Sequence, residues 1–240
     1  MRKNFNFAIL KFINTKYITK DFFELKLDIV PHISATAKGL SNPTSATKTN
    51  STILNFVMFV KPRVMCFRFG QVDIDIIYYS QHKEYSVYID DVIEKYISFV
   101  RLCSIFTSVI VIGINPSPIR NAGHIDYLMN KFKRVKNVGS MLERTQMSRE
   151  YNNRLKRKVK SNGYTFIDLF ENFIGSNGVI DRKFLAHNFE DHHLFKEHGT
   201  YGKHEFSDAH IGILRNKFMP QLTEAATKNE QYLRYLLNSD

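Results

Sequence analysis

Ser108-Val109-Ile110-Val111-Ile112-Gly113-Ile114-Asn115 decides the fold of this chain. The run is continuous, largely β-branched and free of polar alternation, which suits a strand buried on both faces of a parallel sheet. Pro116-Ser117-Pro118 ends it. Upstream, Val64 to Phe69 is a second apolar run, stopping at Gly70. Between the two, Tyr85 to Phe106 carries Val87, Val92, Ile93, Tyr96, Ile97 and Val100 at helical spacing. Downstream, Met141 to Val159 predicts an amphipathic helix stopped by Asn162-Gly163, and Tyr164 to Phe170 predicts a further strand.

The flanks continue the pattern. Phe5 to Leu10 and Leu27 to Ile33 are candidate strands, and residues 34–45 are dense in turn-formers and hydroxyls, reading as a loop. Thr52 to Val60 has helical spacing and is stopped by Lys61-Pro62. Beyond the turn Gly175-Ser176-Asn177-Gly178, Ile211 to Leu222 and Glu224 to Leu237 read as helices. Strands alternating with helical crossovers predict an α/β protein, a three-layer α/β/α sandwich with a mainly parallel sheet. Without an internal repeat or a linker-like stretch, one domain over residues 1–240 is expected.

Composition narrows the function classes. With 43% hydrophobic and 13% aromatic residues the chain can build a core, so it is not a disordered tail. It has no apolar run long enough to span a bilayer. Its basic start, Met1-Arg2-Lys3, leads into an apolar stretch broken at Lys11, so no signal peptide is recognised and a cytoplasmic or intracellular location is the default. Cys66 and Cys103 sit inside apolar runs and read as free thiols. The net charge of +11 is densest over Arg149 to Lys160; this is either a solvated helix face or a surface for an anionic polymer or membrane. No zinc-finger, helix-turn-helix or ribonucleoprotein pattern accompanies it.

In an open parallel sheet, ligands bind outside the carboxyl ends of the strands. Gly70 and Asn115 both fall at such ends and so can share one crevice. A glycine admits a reacting carbonyl close to a backbone N–H, and an asparagine adds a side-chain amide donor; together they are what an oxyanion hole requires. In Val72-Asp73-Ile74-Asp75, Asp73 either orients the loop after Gly70 through backbone N–H groups or faces solvent with Asp75. Between His187 and His210 the chain is rich in histidine and carboxylate. That stretch supplies either a general base with its orienting acid, a His/Asp metal site of a metal-dependent hydrolase, or a polar surface loop. No HExxH spacing supports the metal, and no cofactor is expected.

Gly70, Asn115 and a late Asp/His pair, in that order, resemble the SGNH/GDSL hydrolase superfamily across roughly residues 5 to 222. The stretch from Leu142-Glu143-Arg144 through Asn153-Arg154-Leu155-Lys156 to Gly163-Tyr164-Thr165-Phe166-Ile167-Asp168 is similar to that family's helix and strand before its Asp/His loop. The resemblance implies an SGNH hydrolase-like sandwich with a flavodoxin-like sheet. It also implies acyl-ester hydrolysis on an acylated small molecule or carbohydrate. Gly70 and Asn115 would be oxyanion donors, His193 the base and Asp191 its orienter, with Glu190, Asp208 and His210 as the other members of that set.

The sequence departs from the family in two places. Asp191 and Asp208 stand two places before His193 and His210, while Glu190 stands three before His193. After Phe7-Ala8-Ile9-Leu10, where the family's nucleophilic serine belongs, the chain has Lys11-Phe12-Ile13-Asn14. Thr15 is the nearest hydroxyl, and Ser34 and Ser45 lie in the later loop. Impaired or lost serine-esterase activity is therefore expected. The competing reading is a non-catalytic module that keeps the fold and binds an anionic partner through its basic surface.

Overall fold

The computed structural model describes residues 6–7, 29–30, 35–45, 48–62, 64–81, 83–119, 138–185, 197–198, 204–205, 208–225 and 227–228. Strands β1 (Asn6–Phe7) and β2 (Ile29–Val30) pair in parallel. A 3₁₀ turn over Lys38–Ser41 lies inside the stretch read as a loop. Helix α1 (Thr49–Val60) leads to strand β3 (Val64–Phe67). Lys61 ends α1 in a left-handed conformation (φ 48°) ahead of Pro62, whose ring disfavours helix in the residue before it.

A short helix α2 (Gln71–Asp75) follows directly on Gly70, and the long helix α3 (Tyr85–Ser104) delivers strand β4 (Ser108–Ile112). Helix α4 (Met141–Ser161) then delivers strand β5 (Thr165–Ile167). Ser140 caps α4 by accepting the Glu143 N–H at 3.1 Å while Glu143 reaches back to the Ser140 N–H at 3.3 Å. This reciprocal box satisfies two otherwise orphaned donors. Strands β6 (Glu197–His198) and β7 (His204–Glu205) form an antiparallel pair. Helix α5 (Asp208–Ile213) runs into a π-helical turn over Leu214–Phe218.

Strands β3, β4 and β5 form a parallel sheet with β4 in the centre; Phe67 lies opposite Val111, and Ile112 opposite Ile167. Alternation along β4 creates the layers. Val109 and Val111 enter one apolar cluster with Phe67, Tyr96, Val100 and Leu155, contributed by the neighbouring strand and helices α3 and α4. Ile110 and Ile112 enter a second cluster with Ile167, Phe173, Phe184 and Phe218. The chain is thus an α/β sandwich, and its central strand is buried on both faces from Val109 onward because no polar residue follows Ser108 in it. Cys66 and Cys103 are free thiols, half-buried and buried, and burial pushes both up to about 12.

Candidate functional site at the carboxyl edge of the sheet

Because β3 and β4 are adjacent and parallel, Gly70 and Asn115 leave the same edge of the sheet. Gln71 joins them. Its Oε1 accepts the Asn115 backbone N–H at 3.0 Å, and its Nε2 donates to Asp75 Oδ2 at 2.6 Å. The carboxylate can only accept from that amide, so it fixes which end of the Gln71 amide faces Asn115. Arg68 makes a second tie between the two strand ends, donating Nε–H to the Gly113 carbonyl at 3.2 Å.

Gly70 is required by both backbone and space. Its φ of 118° is in the region that favours glycine, and a Cβ there would lie 2.6 Å from Tyr151 Cζ. The Tyr151 hydroxyl, on α4, donates to the Phe69 carbonyl at 3.2 Å. At the end of β4 the same helix supplies Asn152. Its Oδ1 accepts the Ile114 N–H and its Nδ2 donates to the Ile114 carbonyl, each at 2.9 Å. A Cβ on Gly113 would lie 2.9 Å from Asn152 Nδ2, so a glycine lets this amide approach.

The buried stripe of α4 is polar where it underlies this edge and apolar further along. Arg144, Thr145, Ser148, Tyr151 and Asn152 are buried, followed by Leu155 and Val159. Arg144 donates Nε–H to Ser117 Oγ at 3.0 Å and Nη1–H to the carbonyls of Val138 and Gly139 at 2.7 and 2.6 Å; Nη2–H reaches the Ile119 carbonyl. One guanidinium thereby fastens the chain on both sides of residues 120–137.

Asp73 and Asp75 are both buried, which excludes the solvent-facing reading. Asp73 also corrects the alternative expectation. Rather than organising the loop after Gly70, it reaches back to the 3₁₀ turn, accepting Ala37 N–H at 2.6 Å and Lys38 N–H at 3.3 Å. Lys38 is held from the other side by an ion pair with Asp91 on α3 at 3.0 Å. Burial pushes the Asp73 carboxyl up to about 7, against the pull of those two N–H groups. Burial likewise raises Asp75 to about 6, opposed by the Gln71 hydrogen bond and the Arg144 charge.

The structure thus brings Gly70, Asn115 and Asp73 to one region. His193, Asp191 and Glu190, and with them the hydroxyls of Thr15 and Ser34, lie outside the described residues. The backbone at Asp208 and His210 forms the first turn of α5. Within the basic stretch, Arg149 pairs with Glu171, Arg154 with Glu150 and Asp90, and Lys158 with Glu94. Much of its first two turns is therefore internally neutralised.

No protein-family model matches the sequence, and no match emerges among curated proteins. Among solved structures, the chain is similar to a Bacteroides fragilis protein described as a "putative acylhydrolase". The TM-score is 0.51 at 16% identity, covering 90% of this chain and 83% of that one. At that identity the likeness concerns the fold alone, an α/β sandwich. Among the described residues, no helix is long and apolar enough to cross a membrane.

Proposed function

We propose that the chain is an SGNH/GDSL-type acyl-ester hydrolase domain spanning residues 1–240, acting on an acylated carbohydrate or small molecule, with serine-esterase activity reduced or lost. The observation that carries this reading is the hydrogen bond by which Gln71, the residue after Gly70, holds the Asn115 backbone N–H. Donors held rigidly by buried partners need no reorganisation as negative charge develops, which is what oxyanion stabilisation demands. Gly70 and Asn115 are the donors in this reading. His193 is the base, with Asp191 or Glu190 orienting it and Asp208 with His210 as the substitute pair. The description of the Bacteroides fragilis protein favours the same chemistry.

The nucleophile is the open element of the reading. Ser34 directly precedes the segment whose Ala37 and Lys38 amides Asp73 holds, which makes it a better candidate than Thr15 or Ser45. A site lacking its nucleophile loses on the order of 10⁶ in rate and keeps roughly 10³ over water from the remaining donors. The test combines turnover of p-nitrophenyl acetate and an acetylated oligosaccharide with labelling by a fluorophosphonate. Slow turnover with no label is the expected result. A single labelled serine, abolished by His193→Ala, would establish an active serine enzyme instead. Saccharide binding with no turnover would favour the non-catalytic module, and turnover abolished by a chelator would replace the reading with metal-dependent hydrolysis.

A further inference from the structure

In a parallel sheet the helices run antiparallel to the strands, so α1, α3 and α4 all end at the edge opposite the candidate site. Three hydrogen bonds draw those ends together. Thr107 Oγ1 donates to the Pro62 carbonyl at 2.6 Å, joining the turns after α3 and α1. Arg101 Nη2 donates to Asn162 Oδ1 at 2.8 Å, and the Ser104 and Tyr164 hydroxyls meet at 3.0 Å, joining the ends of α3 and α4.

This edge has an unusual surface. Phe59 is 83% exposed and Ile105 71%, with Val60 and Phe106 beside them also open to solvent. Large apolar side chains exposed singly are ordinary, but here four stand on two turns fastened to each other. Cations surround them: Lys61 and Arg101 next to the apolar residues, and Arg157 and Lys160 on the last turns of α4, all exposed. Residues 58–62, 101–107 and 155–164 contain no Asp or Glu. The nearest acidic partner in these helices, Glu94, is taken up by Lys158. Attraction of cations to helix C-termini accounts for Arg101 and Lys160 but not for the aromatic and aliphatic residues between them.

We propose that this edge is a docking surface for an anionic phospholipid bilayer, with Phe59, Val60, Ile105 and Phe106 entering the headgroup–acyl boundary and the four cations meeting lipid phosphate and carboxylate. Shallow apolar insertion combined with electrostatic attraction is how a protein without a spanning helix holds a membrane surface. The site edge then faces away from the bilayer. An acidic rim on a protein partner would have to match cations on three separate helix ends; a charged lipid surface matches all of them without register. The inference does not depend on the hydrolase reading.

The test is cosedimentation of the full chain with phosphatidylserine vesicles and with phosphatidylcholine vesicles. Binding to the first, weakened by salt, and little binding to the second are expected. Arg157→Gln with Lys160→Gln should weaken partition by about 25-fold, at roughly five-fold for each cation lost. Phe59→Ser with Ile105→Ser should weaken it by about tenfold or more through lost apolar burial. Both variants change exposed side chains, so their thermal unfolding should match the parent and separate lost binding from lost folding. Equal binding to the two lipids, or none to either, overturns the proposal. So does concentration-dependent self-association that Phe59→Ser abolishes in the absence of vesicle binding, since that would make the edge an interface between copies of the chain.

Discussion

Asn152 holds both backbone polar groups of Ile114, taking its N–H on Oδ1 and giving Nδ2–H to its carbonyl, each at 2.9 Å. This pair fixes the residue before Asn115 from beneath, while Gln71 fixes Asn115 itself from the side. Asn152→Leu would fill the space but leave a buried N–H and a buried carbonyl without partners, at about 1–3 kcal/mol each. A loss of about 2–5 kcal/mol in urea unfolding is expected. Asn152→Asp keeps the acceptor but sets a carboxylate against the Ile114 carbonyl, so it should be no better tolerated.

Gly70 and Tyr151 form a second coupled pair. Gly70→Ala should destabilise through a strained φ and through collision with the Tyr151 ring, together roughly 2–5 kcal/mol. Shrinking the ring relieves only the collision. In a double-mutant cycle with Tyr151→Leu, the combined loss should therefore be smaller than the sum of the single losses, a coupling of about 1 kcal/mol or more. Strict additivity would mean that the ring is not what excludes a side chain at position 70.

How far the sequence disclosed this arrangement depends on the scale of the signal. Strand β4 was legible because an unbroken β-branched run has few alternatives, and helices α3 and α4 because their stripes are long. The short helix Gln71–Asp75 was not, because five residues beginning after a glycine leave little period to read. Asp73 was singled out with the wrong partner: the N–H donors its carboxylate accepts from lie 36 and 35 positions upstream, a separation that local pattern cannot supply. Arg144, Tyr151 and Asn152 were missed as site-shaping residues. Their signal was present, as polar residues at helical spacing on a stripe that continues into Leu155 and Val159. The basic block was visible as charge, but its pairing with Asp90, Glu94 and Glu171 depends on tertiary contacts.

Arg144 concentrates more structure than any other single side chain at this edge. Arg144→Met would leave the Ile119, Val138 and Gly139 carbonyls and Ser117 without their donor, at a cost of about 3–5 kcal/mol, comparable to breaking a buried charge pair. Arg144→Lys should recover little of it, because an ammonium cannot reproduce a planar fork that reaches acceptors on several sides. Thermal unfolding of the two variants decides this. A lysine variant as stable as the parent would show that charge, rather than the fork, holds the stems.

Asp73 makes stability depend on pH in the direction opposite to an ordinary surface carboxylate. Its value in the folded chain is raised to about 7 from an ordinary 3.8, so the unfolded chain ionises it first. A raised carboxyl contributes its full stabilisation below the unfolded value and loses it as pH climbs through the folded one. Asp75, raised to about 6, acts in the same sense. Unfolding free energy should therefore fall as pH rises from about 4 to about 8, each group contributing at most about 1.4 kcal/mol per pH unit. Asp73→Asn keeps an acceptor for the Ala37 N–H but cannot ionise. Its stability should vary less over that interval than the parent's, with the gap in the variant's favour widening toward the alkaline end. Parallel curves for the two proteins in urea unfolding at several pH values would show that Asp73 is ionised in the folded chain at the same pH as in the unfolded one.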